Sequence, residues 1–142
     1  EIADLKSLFA VIDFVFKNKI RKNLIQPTIT FNYPTYTRPL ARRNDIDPRR
    51  VDNFQLIAFG AELINAYSEL VDPIEQRKSF NEQMANKALG DDESVDLDEG
   101  FMLAMEHGMP PISGLGFGFE RWIAMLTDQP TLRDVILFPM MK

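Results

Sequence analysis

Asn65, Tyr67 and Glu69 stand at i, i+2 and i+4 in the run 62–70, ELINAYSEL. In a strand that spacing puts all three on one face. An amide, an aromatic ring and a carboxylate on one face suit a ligand with an apolar stem and a cationic end. The ring packs the stem, the carboxylate pairs the cation and the amide fixes a polar group. The competing reading is a solvent-facing strand with a half-buried Tyr, and the pattern alone leaves both open. Gln55 and Glu62 flank the turn of the same hairpin, and paired oxygens of this kind hold a magnesium ion that bridges phosphates. A surface Glu beside a Gln is the commoner arrangement. Glu62 also has the opposite parity to Asn65, so all four residues line one pocket only if the strand is bulged or sharply twisted between them.

A second constellation lies near the C-terminus. Residues 113–120 read SGLGFGFE, with Gly114, Gly116 and Gly118 alternating with apolar residues. Alternating glycine strips every second side chain from one face of a strand and lets something flat lie close to it. Arg121 follows at the start of a helix, where a guanidinium reaches over a planar group or onto its phosphates. A tightly packed core strand followed by a surface Arg fits the same residues. The run is not G-x-G-x-x-G and no βαβ unit follows, which argues against a Rossmann site. His107 reads as a helix-end residue, and the seven methionines read as core filling.

Several elements must position these groups. Ile2, Leu5, Phe9, Ile12 and Phe16 follow helical spacing, so residues 2–19 read as an amphipathic helix with cations at its end. Residues 28–33 (TITFNY) read as a short strand between Pro27 and Pro34, and 34–53 as a long, partly ordered loop. A β-hairpin follows, with FQLIAF at 54–59, a turn at Gly60-Ala61 and a return strand at 62–70. Asp72 is the N-cap of the next helix, with Pro73 at N1 and Glu75 at N3 able to reach back to the cap. That helix should run to about Leu89 and touch the rest through Ile74, Phe80 and Met84. An acidic loop at 90–99 leads into a short helix at about 98–107. The glycine strand, a helix at 121–127 and a short buried strand at 135–138 (VILF) complete the chain. The mixture lacks a βαβ rhythm, which points to an α+β fold with an antiparallel sheet.

Composition sets the outer limits. The chain has 142 residues, a net charge of −5, no cysteine and one histidine. Disulfides, thiolate zinc sites, iron–sulfur clusters and cysteine nucleophiles are excluded, and so is a multi-histidine metal site within the chain. No apolar run approaches the roughly 18 residues of a membrane span, and no signal-peptide pattern opens the sequence. We therefore expect a soluble, cytoplasmic protein without membrane partners. The charge is uneven: +5 over residues 1–50, −9 over 51–100 and −1 over 101–142. The basic third can hold phosphates electrostatically, while the acidic total argues against a dedicated nucleic-acid-binding module.

Taken together these residues resemble a known family. GLGFGFER at 114–121, followed by Leu126-Thr127-Asp128 and by LRDVILFP at 132–139, resembles motif 3 of the class II aminoacyl-tRNA synthetases. The ending is typical of the lysine, aspartate and asparagine subgroup. NAYSEL at 65–70, Asp72-Pro73 and Gln76-Arg77 are similar to the lysyl-tRNA synthetases within it, and PLAR at 39–42 and EHGMPP at 106–111 fit the same family. The resemblance implies an α+β catalytic domain whose antiparallel sheet is flanked by helices. It implies lysine, ATP and tRNA(Lys) as partners, with Mg²⁺ on the ATP phosphates and a homodimer at full length. By the same resemblance Glu69 pairs the lysine ammonium, Tyr67 packs its methylenes and Asn65 orients it, with Gly114 and Gly116 lining the lysine site. Arg121, the catalytic residue, lies by the adenine and γ-phosphate, with Gly118 and Glu62 also at ATP. Glu62 is one of two magnesium ligands.

Two positions depart from the family pattern. Gln55 stands where the first magnesium-binding acid is expected, and Arg38 stands where a small Ser is more usual before Pro-Leu. The chain corresponds to part of a catalytic domain over 1–142, with motif 3 at about 112–127. The anticodon-binding barrel, motif 1 and motif 2 of the family are not in it. Motif 2 supplies the arginine on the α-phosphate, so the isolated chain is expected not to activate lysine. Two other readings remain: a relative that lysylates a protein such as a translation elongation factor, and a non-catalytic lysine- or ATP-binding regulatory domain.

Overall fold

A computed structural model describes residues 8–88 and 96–140 of the chain. It is built from helix α1 (Leu8–Val15), strands β1 (Thr28–Phe31), β2 (Asn53–Ala58) and β3 (Ala61–Ser68), helices α2 (Pro73–Ala88) and α3 (Glu99–Glu106), strand β4 (Ser113–Phe117) and helix α4 (Phe119–Leu126). The four strands form one antiparallel sheet in sequential order. The fold is therefore α+β with an antiparallel sheet, as expected.

Local chemistry explains most boundaries. The β2–β3 turn is Phe59-Gly60, one residue earlier than the sequence suggested, and both residues have positive φ (53° and 73°). Such a two-residue turn matches the strand twist, and glycine supplies the second position without strain. A Cβ on Gly60 would also press to 3.1 Å on the Lys22 carbonyl oxygen. The backbone N–H groups of Phe59 and Gly60 donate to Ile25 and Leu24. This docks the turn against the segment that follows α1. α1 itself does not stop at residue 19. It continues through a π turn (Phe16–Ile20) and a 3-10 turn (Arg21–Asn23). Residues 2–7 of the expected first helix lie outside the described residues, as do Leu89, the expected end of α2, and residues 90–95 of the expected acidic loop.

Asp72 caps α2 as expected, its Oδ1 accepting from the Ile74 N–H at 2.8 Å. Glu75 does not reach back. Its carboxylate pairs with Lys78 instead. The buried face of α2 also differs from the expectation. Ile74 and Met84 are exposed, and the buried residues are Gln76, Ser79, Phe80 and Gln83. They share one helical face at i, i+3, i+4 and i+7. The reason lies in the 34–53 loop, whose carbonyls need donors when buried. Gln76 Nε2 donates to the Pro39 carbonyl and Gln83 Nε2 to that of Tyr36. Phe80 packs with Met102 and Met105 of α3 to make a small core. Asp98 caps α3 through the Phe101 N–H.

The C-terminal expectations need two corrections. α4 begins at Phe119, two residues early, directly after the glycine strand. Residues 135–138 are not a buried strand. A 3-10 turn covers Leu132–Val135, and Leu137 and Phe138 are 90% and 92% exposed. Apolar content alone does not make a strand where no ladder partner is at hand. The loop at 34–53 is tied down by isolated bridges, Ala41 to Glu69 and Arg43 to Val51 among them. It therefore lies across the outer end of β3, beside the groups of interest.

Candidate functional site

The hairpin register sets which side chains meet. Gln55 pairs with Asn65 and Leu56 with Ile64, but Ile57 pairs with Glu62. Leu63 is left without an opposite residue, which makes it a bulge. The extra residue reverses the parity of β3 at that point. Glu62 thereby joins the face of Asn65, Tyr67 and Glu69 that simple alternation denies it. β4 lies beside this face, with Gly116 opposite Asn65 and Gly114 opposite Tyr67.

At the outer end, Glu69 and Tyr67 lie directly over Gly114. A Cβ there would collide with Glu69 Oε1 and come to 3.0 Å from the Tyr67 ring. The glycine is therefore needed for these two side chains to keep their place. A Cβ at Gly116 would meet only ordinary contacts, the nearest at 3.5 Å, so its bareness leaves room above the strand. Burial holds the Glu69 carboxyl above the usual carboxylate range, because desolvation disfavours the charged form. No described side chain bonds or pairs with it. Asn65 Oδ1 accepts from Asn53 Nδ2 at 2.9 Å, and Asn53 also donates to the Ala66 carbonyl. Asn53 is buried and holds the Asn65 amide by its oxygen, and no described residue accepts from the Asn65 NH2. A cleft of about 380 Å³ at this end belongs to the reverse face of the sheet: Phe31, Phe54, Ala66, Ser68 and Ser113, which alternate with the site residues, line it, and Asn65 and Glu69 do not.

The other end has different chemistry. Gln55 Nε2 donates to Glu62 Oε2 at 2.6 Å, so the two residues meet. Tyr33 donates its hydroxyl to Gln55 Oε1, also at 2.6 Å. Burial raises the Tyr33 pKa above its ordinary value, with Arg38 opposing and Glu62 reinforcing the shift. The guanidinium of Arg38 sits 4.8 Å over the Tyr33 ring, a cation–π distance. Arg121 Nη1 donates to the backbone carbonyl of Glu62 at 2.7 Å, and its side chain stands over Gly118. Arg121 thus ties the start of α4 to the Glu62 end of β3.

Magnesium fits this pair poorly. It needs oxygen ligands, and Gln55 turns an N–H toward Glu62 while its one oxygen is taken by Tyr33. Among the described residues no group of three or more His, Asp or Glu is arranged to hold a metal.

The structure thus gathers Gln55, Glu62, Asn65, Tyr67, Glu69, Gly114, Gly116, Gly118 and Arg121 along one strip of sheet. Sequence reasoning missed Asn53 and Tyr33, which hold the amides of Asn65 and Gln55. Asn53 had a signal, since a polar residue shares the parity of Gln55 in an otherwise apolar strand. Tyr33 had none beyond its place after β1. Among the described residues, no helix is long and apolar enough to cross a membrane.

Comparison with known proteins places the chain in a family. A family model described as tRNA synthetases class II (D, K and N) matches residues 9–142. A protein named lysine–tRNA ligase from Staphylococcus aureus strain MRSA252 is 45% identical over 142 residues, which is 100% of this chain and 29% of that protein. Proteins of the same name from strains Mu3 and N315 are 44% identical with the same coverage. The chain therefore spans under a third of the length of these curated relatives.

Proposed function

The chain belongs to the class II tRNA synthetases of the aspartate, lysine and asparagine group, and from that premise we propose that it forms part of the catalytic domain of a lysine–tRNA ligase. The lysine carboxylate attacks the α-phosphorus of ATP, the bond to pyrophosphate breaks and lysyl-adenylate forms. A ribose hydroxyl at the tRNA 3′ end then attacks the acyl carbon and releases AMP. The work is positioning and charge neutralisation more than acid–base chemistry.

In this reading Glu69 pairs the lysine ε-ammonium, Tyr67 packs the methylenes, Asn65 donates its NH2 to the substrate, and Gly114 and Gly116 line the site. Arg121 neutralises charge developing on the phosphates, with Gly118 and Glu62 at the nucleotide. A divalent cation arriving with ATP has one carboxylate to meet here, Glu62, and no step of the reading runs through it. The remaining catalytic parts, a tRNA(Lys) partner, a homodimer and a cytoplasmic setting belong to the same proposal for the full-length protein, with motif 3 at about 112–127 of this chain.

One observation carries the reading: a partly buried carboxylate, Glu69, without a described partner and held over a bare glycine beside a Tyr ring. Such a group favours binding a cation with an apolar stem. The test is lysine-dependent ATP–pyrophosphate exchange by the full-length protein, followed by acceptor assays with tRNA and with a protein acceptor. Exchange driven by lysine, and charging of tRNA, are expected. Exchange driven better by aspartate or asparagine, or transfer to the protein acceptor alone, overturns the reading.

A further inference from the structure

Thr30, Tyr33, Gln55 and Glu62 form one directed chain of hydrogen bonds. Thr30 Oγ1 and Tyr33 Oη lie 2.6 Å apart, Tyr33 donates to Gln55 Oε1, and Gln55 Nε2 donates to Glu62 Oε2. Gln55 is 2% exposed, so water offers its amide no other partners. Chemistry sets the orientation of that amide. Reversed, it would place Oε1 against Glu62 Oε2 at 2.6 Å, two acceptors with no proton between them. A divalent cation asks for oxygens, and here an N–H occupies the side of Glu62 that a second ligand oxygen would need.

The surrounding charges point the same way. Arg121 bonds the Glu62 backbone carbonyl. Arg38 lies over Tyr33, and its bonded contact is a single Nη1 donation to the Thr37 carbonyl, with Nε buried and unpartnered. Neither arginine makes an ion pair with a described carboxylate. Arg38, Arg21 and Glu62 all act on Tyr33 and Arg121 sits on the Glu62 carbonyl, so guanidiniums outnumber carboxylates at this corner. The two departures from the family pattern, Gln55 and Arg38, both touch Tyr33 and act in the same direction. One withholds a negative charge and the other adds a positive one.

We propose that this corner is a guanidinium clamp for a nucleoside polyphosphate that works with little help from magnesium, Gln55 holding Glu62 by an amide hydrogen bond where a metal bridge would otherwise join two acids. It rests on the nucleotide end of the reading above. Gln55 and Tyr33 are positioning residues. Arg38 and Arg121 supply the charge that a cation would supply.

The test is equilibrium binding of ATP to the full-length protein in excess Mg²⁺ and in EDTA, for the wild type, Gln55→Glu and Arg38→Ser. Wild-type affinity should differ less than about threefold between the two conditions. Gln55→Glu should bind metal-free ATP about tenfold or more weakly and recover with Mg²⁺, because like charges across an interface are costly. Arg38→Ser should weaken binding most in EDTA. A wild-type affinity that falls about tenfold or more in EDTA overturns the proposal by itself, whether or not either variant folds. An unchanged Gln55→Glu in EDTA, with its fold verified by circular dichroism, also overturns it. Loss of ATP binding in both conditions overturns the nucleotide reading beneath it, which is a distinguishable result.

Discussion

Glu62 and Glu69 sit seven residues apart on one strand, share one face after the bulge at Leu63, and live in opposite surroundings. Glu69 is partly buried with no described partner, and its carboxyl is held above the usual range. Glu62 accepts a short amide hydrogen bond from Gln55 and has Arg121 on its own carbonyl. One carboxylate is left wanting a cation. The other is already satisfied in a corner where the excess charge is positive. One face of β3 thus presents a cation-seeking end and an anion-seeking end about one strand length apart. That is the polarity needed to hold a basic amino acid and a nucleotide triphosphate side by side. The same residue type serves both ends because burial and neighbours, not side-chain identity, decide what a carboxylate binds.

Four perturbations of the full-length protein separate the two ends. The largest effect is expected from Gly114→Ala. Its Cβ displaces Glu69 and Tyr67 together, so lysine activation should fall on the order of a hundredfold while ATP binding is kept. Equal losses for both ligands would mean the strand, and not the lysine end, had been damaged. Glu69→Gln comes next. With roughly 1.5–3 kcal/mol in a hydrogen bond to a charged group, the lysine KM should rise about tenfold or more and the ATP KM stay put. An unchanged lysine KM would remove Glu69 from recognition.

Glu62→Gln should act at the other end at smaller size, an ATP KM lowered about three- to tenfold with the lysine KM unmoved, since it removes the negative charge from a corner that holds phosphates by guanidiniums. A lysine defect there would merge the two ends into one.

The smallest effect is in pH. The folded Glu69 pKa lies above the unfolded value, so the folded state holds the proton more tightly. Its contribution to stability is present below the ordinary carboxylate pKa and is lost as pH rises through the folded value. Glu69→Gln should therefore melt with a flatter pH dependence than the wild type between those two values. The same shift means lysine affinity should begin to fall, on acidification, above the ordinary carboxylate range. Parallel melting curves for the two proteins would show that Glu69 is not desolvated.

How much of this was legible beforehand follows from the distance over which each feature is decided. The Asp72 cap and the hairpin are settled within a few residues, and both are present. The turn moved by one residue because Phe59 accepts a positive φ that sequence convention assigns to a Gly-first turn. Of the expected contacts of α2, Phe80 is buried but Ile74 and Met84 are exposed, because Gln76 and Gln83 turn their face to carbonyls of the 34–53 loop, 37 and 47 residues away. The run at 135–138 has the β-branched and apolar residues of a strand, yet Val135 ends a 3-10 turn and Leu137 and Phe138 lie exposed.

By itself the sequence determined the reactive groups and their local spacing: a strand bearing Asn65, Tyr67 and Glu69, a glycine strand, an arginine after it, and Gln55 opposite Glu62. It also stated the condition for joining them, a bulge between Glu62 and Asn65. Only the tertiary structure decided that the bulge falls at Leu63, that Gly114 lies under Glu69, and that Tyr33 gathers Gln55 and Arg38 into one corner. The physical reason is that strand alternation and capping arise from neighbours along the chain. The charge and hydration of a carboxylate arise from whatever the fold brings within a few ångströms of it.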